Sequence, residues 1–413
     1  MRQRGYLTMK MNFAAPRLAA VVSALFLLHS ALAQQPPAAP ANCAARGFAP
    51  ALRHKSVEPA ADGRVTFRLC APDATDVYLA STDLPGIVPF GGNGPPGLKM
   101  SKAVDGIWSV TTDKAVDPDN YRYTFLVNGA TVPDPEATTF ANQRVGTRAT
   151  FEMPGEAGRF QSYVPAIPHG VVSVFEYWSK SLGVKRRAHV YTPPGYLKDA
   201  RRYPVLYLVH GAGDSDDEWT ATGHAQYILD NLIAAGKAKP MIIVMPFGHT
   251  PERPLVSGGG GTDILGNQDF GNDLLQDLIP AIDASLRTRA QPVFRAMAGL
   301  SMGGAHTLNF GLPHSDVFRY IGIFSMGLGV GNNQNAVANY EKANAEGLKR
   351  SAHELKLVYY AIGKEDFLYG SVAPTRAMLD RQGIQHVYHE SGGGHTWINW
   401  RAYLSDFAPR LFQ

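Results

Sequence analysis

AMAGLSMGGAHTLNF, residues 296–310, sets one serine between glycines at a point where apolar residues give way to a helical pattern. Ala296–Leu300 is a short apolar run. Gly299 and Gly303 bracket Ser301 as G-x-S-x-G, with Gly304 beyond, and Met302–Phe310 has helical period. The expected structure is a tight strand-to-helix turn that holds the Ser301 hydroxyl above the end of a sheet. A side chain at 299 or 303 would collide with neighbouring backbone in such a turn, so glycine is required at both. A lone pentapeptide is a weak signal in a chain with 42 glycines, and its flanks therefore carry the reading.

Outward from this turn, apolar runs without alternation recur at Val205–Val209, Met241–Met245, Tyr320–Phe324 and Leu355–Ala361. They suit strands buried on both faces of a parallel sheet. Helix-period segments lie between them at His224–Ala235, Asp273–Leu286, Thr375–Gln382 and Thr396–Phe407. Strand and helix alternate over about residues 170–413, which is an α/β fold.

The chemistry expected of Ser301 needs partners, and the chain offers them in order. Leu355–Ala361 runs into Gly363-Lys364-Glu365-Asp366, where Asp366 is the preferred acid and Glu365 the fallback. His395 sits in a glycine-rich loop, Gly392-Gly393-Gly394, before the last helix. The order Ser, Asp, His fits a hydrolase triad with His395 as base and Asp366 as its orienting acid. Val205–Val209 enters His210-Gly211-Ala212-Gly213, whose backbone N–H groups near Gly211 and Ala212 would join that of Met302 in an oxyanion hole. His210 is expected to be a packed, hydrogen-bonded residue. His224 and His249 are placed on surface loops, with pocket lining as the other option. Trp219 and Trp397 are expected to wall a substrate pocket, with core packing as the competing reading. Residues 254–272, rich in Gly and Asn, suit a flap. No H-E-x-x-H, Cys/His cluster, P-loop or dinucleotide fingerprint occurs, so neither a metal nor a cofactor is expected.

The N-terminal part reads differently. Arg2, Arg4, Lys10 and Arg17 precede an apolar run, Leu18–Leu28, and an A-x-A pattern at Ala31 and Ala33. Residues 1–33 therefore read as a secretory signal, and the product is expected to be secreted or periplasmic. Without those four cations the formal charge of +4 becomes zero, which removes the electrostatic case for nucleic acid or membrane as partner. Residues 34–50 are a Pro/Ala-rich linker. Residues 51–165 carry short alternating runs (Val65–Leu69, Val77–Ala80, Ile107–Thr112, Tyr121–Val127) separated by turn signals, which implies a small all-β sandwich. Trp108 is read as core. Export permits a Cys43–Cys70 disulfide, although spacing alone cannot give the Cα separation.

RRAHVYTPPGY (186–196), YPVLYLVHGAGDSDDEW (203–219), KPMIIVMPFGH (239–249), AGLSMGGAHTLNFGL (298–312), GKEDF (363–367) and GGGHTW (392–397) together resemble the esterase D-like α/β-hydrolases. That group includes feruloyl and acetylxylan esterases of carbohydrate esterase family 1 and enterochelin esterases. The resemblance implies an α/β-hydrolase fold and the same Ser301, Asp366 and His395. More loosely, VTFRLCAPDATDVYLA (65–80), DGIWSV (105–110) and DNYRYTFLVNGATVPDPEA (119–137) resemble immunoglobulin-like modules similar to carbohydrate-binding module family 48. The esterase resemblance implies hydrolysis of feruloyl or acetyl esters of wall polysaccharide, and the looser one adds glycan contact by the N-terminal module as a further expectation. Siderophore trilactone hydrolysis and acyl transfer stand as alternatives within the fold. A glycan-binding protein with a retired hydrolase site is the non-enzymatic one.

Overall fold

The computed structural model describes residues 43–44, 54–88, 96–250, 268–329 and 335–413. The leader, most of the linker and the 254–267 part of the expected flap lie outside the described residues. The last residues of that stretch, Gln268–Asn272, begin a helix.

Among the described residues, ten strands lie between Val57 and Glu152: β1 (Val57–Pro59), β2 (Val65–Cys70), β3 (Val77–Ala80), β4 (Leu98–Lys99), β5 (Ser101–Lys102), β6 (Ile107–Thr111), β7 (Asn120–Val127), β8 (Ala130–Val132), β9 (Phe140–Asn142) and β10 (Thr147–Glu152). They form two antiparallel sheets, ordered β1-β2-β6-β5 and β4-β3-β7-β10-β9, with β8 also paired to β7. In β2 the alternation places Val65, Phe67 and Leu69 in the core and leaves the residues between them half-exposed. Phe67 meets Tyr123 and Phe151 of the other sheet at ring distances of 5.1 and 5.4 Å. The sheets thus face each other across one apolar core. Asn128 and Gly129, both at positive φ, make the tight β7–β8 hairpin turn. Trp108 is buried in this core, and its indole N–H donates to the Ala71 carbonyl at 2.9 Å. Cys43 and Cys70, with Cα atoms 5.6 Å apart, form a disulfide.

Eight further strands form one sheet: β11 (Val171–Ser179), β12 (Val184–Thr192), β13 (Val205–Val209), β14 (Ile242–Pro246), β15 (Arg295–Leu300), β16 (Tyr320–Phe324), β17 (Leu357–Gly363) and β18 (Val387–Ser391). Their order is β11-β12-β14-β13-β15-β16-β17-β18. The β11–β12 hairpin pairs antiparallel to β14, and the other neighbours are parallel. Every residue of β13, β14, β15 and β16 is buried, as continuous apolar runs require when both faces are covered. Val205, Tyr207 and Val209 point to one face, against the helical segment Gln268–Ser285, the helix after Ser301 and Val372–Arg381. Leu206 and Leu208 point to the other, against Ala225–Ala234 and Trp397–Phe407.

Three features go beyond the sequence reading: the β11–β12 hairpin, the edge strand β18, and the helices Ala336–Ala343 and Ala345–Glu354. Both sheet edges are partly exposed: β11 mixes exposed with buried positions and β18 has exposed and half-buried ones, so they lack the unbroken apolar run that marks interior strands. Because β13 and β15–β18 run in the same direction, residues following Val209, Leu300, Phe324, Gly363 and Ser391 all emerge at one edge. No helix among the described residues is long and apolar enough to cross a membrane.

Candidate active site

Ser301 occupies the step from β15 to the helix Met302–His306, with φ 50° and ψ −115°. Side chains rarely adopt this conformation, and such strain clusters at functional positions. The surroundings hold it there. The Ser301 N–H donates to the Phe324 carbonyl at 3.0 Å, and its carbonyl accepts from the Ala305 N–H at 2.9 Å. A Cβ on Gly299 would lie 2.4 Å from the Gly303 carbonyl carbon, and one on Gly303 would lie 2.3 Å from the Val209 oxygen. Both glycines are thus demanded by backbone contact, as the sequence reading supposed. Met302 opens the helix, so its N–H belongs to the first turn and is not consumed by the helical ladder.

At the same edge, His395 Nδ1 lies 2.9 and 3.0 Å from the two carboxylate oxygens of Asp366. Asp366 is buried and also accepts the Leu368 N–H at 2.9 Å. An Nδ1–H donated to this carboxylate leaves Nε2 as the basic nitrogen of the neutral ring. Glu365, the fallback acid, is exposed, and its backbone N–H instead binds the Gly393 carbonyl at 3.1 Å. The loop before His395 is stapled by Asn399, whose Nδ2 donates to the Gly392 and Gly394 carbonyls at 3.1 and 2.9 Å. The His395 ring rests edge-on against Trp400 at 4.9 Å. Trp400 in turn donates its indole N–H to Ser325 Oγ at 2.9 Å, just past β16.

Gly211 packs directly on the serine turn: a Cβ there would lie 3.6 Å from the Ser301 Cβ and 2.7 Å from Leu300 Cδ1. Ala212 is exposed. His210 is buried and hydrogen-bonded, as expected. Its Nε2 accepts the Gly248 N–H at 2.8 Å, so its Nδ1–H donates to the Gly211 carbonyl at 2.8 Å. Burial lowers its pKa and keeps it neutral.

Two expectations need correction. Trp219 and Trp397 are not pocket walls: they are 0% and 1% exposed and meet edge-to-face at 5.1 Å in the core beneath the site. The Trp219 indole N–H donates to the Val209 carbonyl at 3.1 Å, which anchors the end of β13. Large apolar rings near a catalytic loop stabilise most by leaving water altogether. His224 and His249 are buried rather than on the surface, and burial pushes both down to about 3. His249 Nε2 accepts the Gly213 N–H at 3.3 Å. The sequence reading overlooked Phe367, whose ring is 60% exposed and lies 4.6 Å from His395. Its place one residue after the candidate acid was the available signal.

The large, mostly parallel sheet thus carries the serine turn at its C-terminal edge. The chain belongs to the putative esterase family, whose model matches residues 179–411. An endo-1,4-beta-xylanase/feruloyl esterase of Xylanibacter ruminicola is 32% identical over 364 residues, 85% of this chain and 45% of that protein. An esterase of Mycobacterium tuberculosis is 33% identical over 139 residues, 33% of this chain and 28% of its own. The chain thus spans less than half the length of these curated relatives. A CE1 ferulic acid esterase of Anaeromyces mucronatus has a similar structure (TM-score 0.53, 23% identity, 62% of this chain and 95% of that one). So does an enterochelin esterase of Shigella flexneri (TM-score 0.60, 18% identity, 86% and 95%). At these identities the two structural likenesses speak to fold alone.

Proposed function

We propose that this chain is a serine carboxylic-ester hydrolase that works through Ser301, His395 and Asp366. The observation that carries the reading is the strained Ser301 turn at the sheet edge from which the Asp366–His395 pair also emerges. His395 takes the Ser301 proton as the hydroxyl attacks the ester carbonyl. Asp366 holds the imidazole in the right tautomer and stabilises the imidazolium that forms. The Met302 and Ala212 N–H groups, with Gly211 as their close neighbour, receive the developing oxyanion. Collapse of the tetrahedral intermediate expels the alcohol and leaves an acyl-enzyme. Water then attacks that ester with His395 again as base.

The proposed substrates are feruloyl or acetyl esters of plant cell-wall polysaccharide. The 32% identity over 85% of this chain to a xylanase/feruloyl esterase supports this choice. The exposed Phe367 ring beside His395 would suit a flat aromatic acyl group. We take residues 51–165 as an immunoglobulin-like module resembling carbohydrate-binding module family 48, and 170–413 as the esterase domain. A cleft of about 760 Å³ runs between them, with Phe140, Tyr163 and Tyr227 in its walls, and would accommodate sugar units. The leader-like N-terminus and the Cys43–Cys70 disulfide suit export.

Initial rates on methyl ferulate, p-nitrophenyl acetate and a catecholate trilactone, each with Ser301→Ala as control, test the substrate. Ser301-dependent turnover of methyl ferulate is expected. Turnover of the trilactone alone would move the substrate to siderophores, and transfer to an added alcohol in place of hydrolysis would make the protein an acyltransferase.

A further inference from the structure

The segment from Gly211 to Glu218 is held from outside by the N-terminal sheets. The Arg144 N–H donates to the Gly213 carbonyl at 2.7 Å. Arg122, on β7, sends Nη1 to Asp214 Oδ1 and to Glu218 Oε1, both at 2.8 Å, while its Nε and Nη2 grip Asp83 at 2.7 and 2.8 Å. Gln143 Nε2 donates to Glu218 Oε2 at 2.8 Å, and Asn142 Nδ2 to Asp217 Oδ2 at 2.5 Å. Arg122, Asp214 and Glu218 are all buried.

Asp214 connects this network to the chemistry. Its backbone N–H donates to the Gly211 carbonyl at 3.3 Å, the same oxygen that His210 holds. In a trans peptide the carbonyl and the following N–H point in opposite directions. Fixing the Gly211 oxygen therefore fixes the direction of the Ala212 N–H. We propose that Arg122 is a positioning residue for the Ala212 oxyanion donor, so that the N-terminal sheets are part of the catalytic apparatus and not only its neighbour. This rests on the Ser301 reading above. Without the guanidinium, Asp214 is a buried carboxylate with its cation removed, and it turns toward water. The N–H that braces the Gly211 carbonyl moves with it. Docking of the sheets has other supports: Arg401 pairs with Asp119 at 2.6 Å and donates to the Asn120 carbonyl at 3.2 Å.

The test is steady-state kinetics of the full chain on p-nitrophenyl acetate for wild type, Arg122→Ala, Arg122→Lys, Asp214→Asn and Ser301→Ala, with thermal unfolding alongside. A misaligned oxyanion donor predicts a kcat about 10- to 100-fold lower for folded Arg122→Ala, with KM within about threefold. Added guanidinium ion restores part of that rate. Arg122→Lys recovers little, because one ammonium cannot serve Asp83 and Asp214 with a planar fork. A folded Arg122→Ala with kcat within about twofold of wild type, or one whose loss guanidinium leaves untouched, would overturn the proposal. If Arg122→Ala does not fold, Asp214→Asn decides: a lowered kcat at constant KM supports positioning, and an unchanged kcat overturns it. Ser301→Ala separates the two readings, since activity surviving in that variant sinks the nucleophile assignment whatever Arg122 does.

Discussion

Two loops leave the same edge of the large sheet and are held by different physics. The loop before His395 is fixed by neutral, local hydrogen bonds: Asn399 to the Gly392 and Gly394 carbonyls, Glu365 N–H to Gly393, and Lys364 N–H to Ser391. The loop 211–218 is fixed by buried charge brought from about a hundred positions earlier, with Arg122 paired to Asp83 and Asp214 and hydrogen-bonded to Glu218. The first device travels with its own sheet and does not titrate. The second depends on the N-terminal sheets and on protonation. In the proposed mechanism His395 changes its charge during turnover, which a neutral frame serves well. The proposed backbone donors need only stay still, and charges can hold them provided these remain balanced.

The largest effects test the chemistry common to both loops. Ser301→Ala is expected to lower kcat by about 10⁴-fold or more on any ester the protein cleaves. Asp366→Asn should cost about 10³- to 10⁴-fold by leaving His395 in the wrong tautomer, with KM little changed. Near-wild-type turnover by Asp366→Asn would shift the orienting role elsewhere.

The next two perturb one loop each. Asn399→Ala leaves the Gly392 and Gly394 carbonyls without their donor, which should cost about 1–3 kcal/mol of stability in denaturant melts. A kcat loss of about tenfold should accompany it as the His395 loop loosens. The smallest effect belongs to the charged loop. Burial and the nearby Asp214 charge push the Glu218 pKa up from 4.5 to about 8, against the pull of Arg122. The folded state therefore keeps a proton that the unfolded chain releases. Stability from this group is full below pH 4.5 and erodes as pH rises toward about 8. Glu218→Gln should flatten that slope. Unfolding midpoints of wild type and variant at about pH 5 and about pH 8 measure it, and parallel slopes would show that Glu218 does not titrate in this window.

Much of this architecture was readable because interior strands and tight turns leave strong local marks. Val205–Val209 and Tyr320–Phe324 are strands with the bounds their apolar runs suggested. A Cβ on Gly299 or Gly303 beside Ser301 would meet backbone at 2.4 and 2.3 Å. The hairpin from Val171 to Thr192 was missed because Glu176 on the edge strand β11, and Lys185 and Arg187 in the part of β12 beyond its pairing with β14, stand exposed along it. Trp219 and Trp397 were misplaced because nearness in sequence to catalytic loops says nothing about which way a ring points. The Arg122 network was invisible for a different reason. Asp83, Asp214 and Glu218 stand 39, 92 and 96 residues from Arg122, and only the packing of one set of sheets on another brings the acids of both parts to it.

The most direct measurement is intact-mass and peptide mapping after reaction with a fluorophosphonate. One adduct per chain, located on Ser301 and absent from Ser301→Ala and from heat-unfolded protein, is the expected result. Well-folded protein that takes up no label, or that carries it on another residue, would contradict the assignment of Ser301 as nucleophile.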